Sequence, residues 1–458
     1  MVTSMSASAT LDAAIASESD IFIRRQPRGS ALGTAATDVL AGGATSSWQI
    51  ADPQPVWLDH GAGGHIWDVD GNEYVDLHGG YGAGIAGHAH PAIVAAVTEQ
   101  VSRGTHFAQP TEDALWVARS LAQRYDLPLW RFANSGTEAT MDAVHLMRAV
   151  TGRDMIIKVE GCYHGHHDSV QVSVSPDLDE AGPAHRPESV PSSTGIPTAI
   201  TELTRIVGFN DLDAVRRILD ENPGQVAGMI VEPVMMNAGI ITPEPGYLAG
   251  LRDTLHSAGA LLTFDEVKTG FTAGPGGATA RFGVRPDIIC LAKSLGGGLS
   301  TAAIGGTSDV MSAIADGIYE QVGTFNGNPL AMAAARANVY QVLDDSAYRH
   351  LADLAAHASA AITDVIAAHG LAWHVKSVGA KGCVIFSPTP VTDYREFLQL
   401  DDRWGQLHWL IQHNGGVFLP PWGKVEQWLL SVAHTHADVD RLVTNFERLA
   451  VIAEEVLA

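Results

Sequence analysis

The chain has 458 residues, enough for two or three domains and a large core, and its 46% hydrophobic and 17% charged content is that of a globular protein. A formal net charge of −23 argues against nucleic acid or an anionic membrane as a partner. The cysteines Cys162, Cys290 and Cys383 form neither a metal spacing nor a disulfide framework, no apolar run reaches the roughly 18 residues of a membrane span, and the start lacks the charged-then-apolar pattern of a secretory leader, so the cytoplasm is the expected compartment.

Residues 1 to about 20, rich in Ala and Ser, read as a tail. A small-residue loop follows, Gly42-Gly43-Ala44-Thr45-Ser46-Ser47. Residues 64–69 and 73–77 alternate around Asp70-Gly71-Asn72, which predicts a hairpin. Residues 79–87 form a glycine-rich loop. A helix resumes at Pro91, with Ile93, Ala96 and Val97 on one face. Apolar runs at 129–132, 155–159, 227–231, 261–264, 288–291 and 302–304 then alternate with helical patterns such as 212–219 and 245–258. That alternation predicts an α/β domain with a mostly parallel sheet. The Pro- and Ser-rich stretch 175–197 reads as a long surface loop. Helices are expected at 331–342 and 349–368, strands at 373–378 and 382–386, and a closing helix at 438–457, which together suit a smaller α+β domain. The expected division is 1–85, 86–330 and 331–458.

Lys293 ends an apolar run, Ile289-Cys290-Leu291-Ala292, and precedes three glycines. Burial there penalises its charged form and makes the amine a nucleophile. Asp265 ends the run Leu261-Leu262-Thr263-Phe264. A Lys and an Asp at two strand ends suit pyridoxal phosphate: the Lys makes a Schiff base and the Asp pairs with the pyridinium nitrogen. Asn134-Ser135-Gly136-Thr137-Glu138-Ala139 opens a helix, and Ser135 with Glu138 matches a capping box. The same residues suit a phosphate, through free N–H groups at a helix start. Tyr163, in Cys162-Tyr163-His164-Gly165-His166-His167, could stack on a flat ring. The three histidines lack zinc spacing, and no metal is expected. Glu232 ends another strand as an ordinary charge or as support for a cofactor-binding group. Gly323-Thr324 precedes a helix as a turn or as a second phosphate donor.

Together these motifs, with Gly87-His88-Ala89-His90-Pro91 and Asp265-Glu266-Val267, resemble the class III, ω-type aminotransferases of fold type I, and within them the glutamate-1-semialdehyde 2,1-aminomutase branch. The resemblance runs from about residue 38 to 445. It implies the aspartate-aminotransferase-like α/β fold, pyridoxal phosphate, and a homodimer with shared active sites. It implies Lys293 as Schiff-base lysine and proton shuttle, Asp265 at the ring nitrogen, and Val267 and Tyr163 on the ring faces, with His164 among the cofactor-binding residues. Ser135, Gly136 and Thr137 would hold the phosphate and Thr324 would reach that of the other subunit. Asn237 would lie near the phenolic oxygen, Glu232 would stand behind these groups, and the loop ending at Pro197 would gate the site.

The same resemblance assigns substrate contacts to Ser46, Gln49, Tyr81 and Glu426. Where the aminomutases carry a carboxylate-binding arginine the chain has Gln49, and where β-amino-acid transaminases carry theirs it has Ser46. A glutamine offers hydrogen bonds but neither charge nor a guanidinium fork. Tyr81 replaces the aminomutase tryptophan. The expected activity is therefore amino transfer between an amine or amino acid and a keto or aldehyde acceptor, with intramolecular aminomutation as the alternative.

Overall fold

The computed structural model describes residues 2–420, 424–425 and 427–457. The chain divides into two compact units: residues 1–90, 349–390 and 398–458 form one, and residues 91–348 with 391–397 form the other. The division falls at 90/91 and 348/349, not at 85/86 and 330/331. Helix Pro329–Ala337 and the π-helical turn Asn338–Val342 explain the second shift, because they pack on Pro91–Arg103 and Glu112–Tyr125 of the larger unit.

The larger unit carries a seven-stranded sheet. Its strands are β1 (Leu129–Ala133), β2 (Met155–Val159), β3 (Thr204–Val207), β4 (Val226–Val231), β5 (Leu261–Asp265), β6 (Ile288–Leu291) and β7 (Ala302–Gly306). The spatial order is β1-β7-β6-β5-β4-β2-β3. Only β7 runs antiparallel to its neighbours, so the C-terminal ends of the other six share one edge. β2, β4 and β6 are buried along their whole length, as expected for parallel strands covered on both faces. The short edge strand β3 has no counterpart among the predicted strands. Arg205 interrupts its four residues, Thr204-Arg205-Ile206-Val207, so they form no continuous apolar run.

Helix Gly136–Thr151 lies on this sheet. Its face Ala139, Ala143, Val144, Leu146 and Met147 is buried with Ile156, Ala227, Ile230, Ile288 and Ile304. Burial of each large side chain here contributes about 1.5–3 kcal/mol, which anchors the helix start against the strand ends.

The smaller unit holds a sheet of Leu58–Ala62, His65–Asp68, Glu73–Asp76 and Val417–Phe418, and a second of His374–Val378, Lys381–Ile385 and Gln427–Leu429. The expected N-terminal tail is a helix, Val2–Arg24, which packs on helices Asp402–Asn414 and His436–Leu457 through Leu11 and Phe22. Composition hid it because only a few large apolar residues mark its buried face. Helix Asp345–Ala368 is long and apolar enough to cross a membrane by length and composition. Its buried positions, Leu351, Leu354, Ala355, Ala358, Ile362, Val365 and Ile366, form the stripe of a core helix, with Asp353 and Asp364 exposed opposite.

Candidate active site

Five segments bring polar groups to the C-terminal edge of the large sheet, where ligands of open α/β sheets bind. Asp265 is the last residue of β5. Glu232 follows β4 directly, and Lys293 follows β6 after Ala292. Tyr163 and His164 follow β2, and Ser135–Thr137 follow β1.

Asp265 is buried. Its Oδ1 accepts from the Val267 N–H at 3.0 Å and its Oδ2 lies 2.8 Å from His164 Nδ1. The ring nitrogen and the carboxylate share a hydrogen bond, and each carboxylate oxygen keeps a lone pair for a further donor. Burial, then the Asp265 charge, raises the Tyr163 phenol.

Lys293 has a positive φ of 49°, a conformation rare for a residue with a side chain. Asn338, buried, holds the turn in place: its Nδ2 donates to Ser294 O at 2.6 Å and Leu295 O at 3.3 Å. Burial first, and then the neighbouring Lys268 ammonium, bring Lys293 from 10.5 down to about 7, against the opposing pull of Asp265 and Glu232. An amine in that range is about half unprotonated near neutrality.

The Ser135 capping box is formed in full: its Oγ accepts from Glu138 N at 3.2 Å, and Glu138 Oε2 accepts from Ser135 N at 3.2 Å. The Ser135 side chain thus serves the helix, while helix geometry leaves the Gly136 and Thr137 N–H groups without a carbonyl partner in the helix. A Cβ on Gly136 would stand 3.0 Å from Val267 Cγ1 and 3.7 Å from Ala292 Cβ. The helix start is therefore pressed against the residues that follow Asp265 and precede Lys293. An amine of lowered basicity, a buried carboxylate with spare lone pairs and an anion-binding helix start on one sheet edge fit pyridoxal phosphate.

Glu232, also buried, ties the surroundings together. Its Oε1 accepts from Tyr163 N at 3.1 Å and Asn237 Nδ2 at 3.0 Å, and its Oε2 from Met236 N at 3.1 Å. Asn237 Oδ1 accepts from Lys268 Nζ at 2.5 Å. Thr324 is exposed in a turn whose Asn326 Oδ1 accepts from Asn134 Nδ2 at 3.0 Å. His166 and His167 contact Thr137 and Thr140 instead of converging. Among the described residues no group of three or more His, Cys, Asp or Glu side chains is placed to hold a metal ion.

The stretch 175–197 has no regular structure, but it is not a free surface loop. Arg395 Nη1 donates to Gly182 O at 2.7 Å and its Nη2 to Ala181 O at 3.1 Å, while its Nε and Nη2 grip Glu160 at 2.8 and 2.9 Å. Tyr394 packs on Gly161, where a Cβ would meet the ring at 2.1 Å.

In the smaller unit, Gln49 and Tyr81 line a cavity of about 500 Å³ with Trp48, Trp57, Phe418 and His78. Gln49 Oε1 accepts from Thr45 N at 3.2 Å and Thr45 Oγ1 at 2.5 Å. Tyr81 OH donates to Trp48 O at 2.9 Å. Ser46 is exposed and does not line this cavity. Glu426 lies outside the described residues.

Sequence reasoning passed over Lys268, Asn338, Glu160 and Arg395. A lysine three positions after the strand-end Asp265 was a signal for the first. The others act through partners far along the chain.

Residues 49–447 match the family model described as aminotransferase class-III. A glutamate-1-semialdehyde 2,1-aminomutase of Desulfitobacterium hafniense is 38% identical over 88% of this chain and 94% of its own length. An omega-transaminase from Sphaerobacter thermophilus superposes with a TM-score of 0.89 at 31% identity, covering 94% of this chain and 99% of the other. A glutamate-1-semialdehyde aminomutase from Pseudomonas aeruginosa, solved with PMP, superposes with a TM-score of 0.89 at 29% identity over 97% of this chain and 98% of its own. The chain thus belongs to the class III aminotransferases and is a pyridoxal-phosphate-dependent enzyme of fold type I.

Proposed function

We propose that this enzyme transfers an amino group between an amine or amino acid, including β-amino acids and specialised metabolites, and a keto or aldehyde acceptor in two half-reactions. Pyridoxal phosphate, when bound, supplies an electrophilic carbon and an electron sink. Lys293 Nζ would be the nucleophile that holds the cofactor and, once freed, would take the proton from the substrate Cα and deliver it to the cofactor carbon, so that the amino group stays with the cofactor. Asp265, oriented by His164, keeps the proton on the ring nitrogen. Val267 and Tyr163 hold the ring faces. Gly136 and Thr137 hold the phosphate with Ser135 as the cap of their helix, and Glu232 holds Asn237 and the Tyr163 backbone in register.

The observation that carries the substrate reading is the cavity around Gln49 and Tyr81. Among its described lining residues there is no Lys or Arg, while Trp48, Trp57, Tyr81 and Phe418 give it an aromatic wall and Asp76 a carboxylate. Such a surface favours a neutral, apolar substrate body over one ending in a carboxylate. The second reading, intramolecular aminomutation, is favoured by the name of the 38% identical relative. We further propose a homodimer in which Thr324 serves the other subunit's phosphate. Exposed Ile318, Val322 and Phe325, at 66%, 75% and 56%, surround it as an apolar interface would require. The three buried free thiols support a reducing, cytoplasmic compartment.

The test mixes the holoenzyme with amines and with α-, β- and ω-amino acids and follows loss of its visible absorbance. Amines or β-amino acids should bleach it, and turnover should need a keto acceptor. Bleaching confined to glutamate-1-semialdehyde or diaminovalerate, with turnover in the absence of an acceptor, would reject transamination in favour of the second reading.

A further inference from the structure

Helix Ser308–Ala315 leads into the turn that carries Thr324 through a segment whose residues 320–323 belong to no helix, strand or turn. Side chains hold this segment in place. Tyr319 OH donates to Asp142 Oδ1 at 2.7 Å. Gln321 Nε2 donates to Asp142 Oδ2 at 3.0 Å and to Phe132 O at 3.1 Å. Tyr319 and Gln321 are half-buried, while Ile318, Glu320, Val322 and Thr324 alternate with them and are exposed. The segment thus turns two polar side chains inward and takes both oxygens of one carboxylate.

Asp142 is itself buried, on helix Gly136–Thr151, less than two turns past Gly136. A buried carboxylate is costly unless its oxygens are bonded, and here one donor from the segment serves each of them. A second anchor lies on the other side of Gly136. Asn326 Oδ1 accepts from Asn134 Nδ2 at 3.0 Å, and Asn134 O accepts from Ser300 Oγ at 2.7 Å. Asn134 and Asp142 therefore bracket Gly136 and Thr137 in sequence. The stretch of chain that offers N–H groups to a phosphate also grips the Thr324 segment at both ends.

We propose that Asp142 is a positioning residue for cofactor retention: by gripping Tyr319 and Gln321 it fixes the turn that presents Thr324 to the other subunit's phosphate. The inference rests on the reading of Thr324 as a phosphate contact. A hydroxyl strengthens binding only if it is already held where the ligand will be, because ordering a loose segment on binding offsets the bond it makes. Residues 320–323 have no ladder to order them, so the two bonds to Asp142 supply that order beforehand.

The test measures cofactor retention by the holoenzyme in equilibrium dialysis. D142A removes both acceptors, Y319F/Q321M removes both donors, and T324A removes the hydroxyl. D142A should weaken retention about ten-fold, the size of the one bond to a charged acceptor that a misplaced Thr324 loses, and Y319F/Q321M should match it. In a T324A background D142A should add no more than about two-fold, because the bond it supports is already gone. If D142A fails to fold by circular dichroism, Y319F/Q321M carries the comparison. Parental retention in a folded variant overturns the inference. So does an undiminished loss on adding D142A to T324A, which would mark a general loosening of helix Gly136–Thr151. T324A alone separates the two levels. If it weakens retention while D142A does not, only this inference fails. If it retains cofactor like the parent, the reading of Thr324 fails and this inference with it.

Discussion

Two buried histidines, His408 and His413, and the half-buried His167 are held as neutral rings, and they should make the enzyme acid-sensitive in a calculable way. His413 stands edge-on to Phe22 and Tyr74 at 4.5 Å each, with neither ring nitrogen bonded. His408 is walled by Phe386 and Phe446. Burial brings both to about 3, and burial followed by neighbouring cationic groups does the same for His167. An unfolded chain protonates each ring near pH 6.5, so below that pH the unfolded state binds protons that the folded state refuses. Stability is therefore lost as pH falls, by up to about 1.4 kcal/mol per ring per pH unit. From pH 6.5 to 5 the three rings together cost about 5 kcal/mol, comparable to the whole stability of a marginal domain. His65 opposes them. Burial lowers it, but hydrogen bonds to Glu73 and Asp438 outweigh burial and raise it, so its contribution is present in acid and lost as pH rises through its raised value. His369, raised by hydrogen bonds to Glu447 and Glu454, acts in the same sense as His65, while the buried His434, lowered by burial, adds to the acid-sensitive rings. The assay compares urea midpoints at pH 7, 6 and 5 for the parent and for His408→Leu/His413→Phe. The double variant should lose about 3 kcal/mol of the stability change between pH 6.5 and 5. Parallel dependences would refute the reasoning.

Two further substitutions probe the sheet edge. Gly136→Ala should weaken cofactor retention about ten-fold in equilibrium dialysis, because Val267 at 3.0–3.1 Å must give way, while the melting temperature changes little, since helix propensity returns about 1 kcal/mol; unchanged retention would show that the phosphate loop tolerates the shift. Arg395→Met leaves Glu160 buried and unpaired, so a loss of about 3 kcal/mol and faster proteolysis within 175–197 are expected, and Glu160→Gln in the same chain should recover part of it; a parental proteolysis rate would show that the clamp does not restrain the loop.

The strands of the large sheet were legible because buried parallel strands must be continuous apolar runs. β2, β4, β5 and β6 therefore stand out against their surroundings. Asp265, Glu232 and Lys293 were legible for the same reason inverted. A charge that ends such a run is costly unless it has a task, and the turn to Gly296-Gly297-Gly298 marks where the strand stops. The first helix was not legible, because its burial comes from helices more than 370 residues away in sequence.

What escaped the sequence is the pairing of charges, and that is where the site's chemistry is decided. Read alone, Lys293 is an amine whose basicity burial lowers, and Asp265 and Glu232 would each restore its proton. Whether they do depends on which cation they face. Lys268 lies three positions after Asp265 in sequence but is tied to Glu232 only through Asn237, which no spacing reveals. Glu160 shows the same limit in the supporting structure: at the end of β2 it reads as a stray charge until Arg395, 235 positions on, closes on both its oxygens. Strand ends place single residues predictably, because the apolar run that precedes each one is local. A balance among four charges is a property of the folded edge.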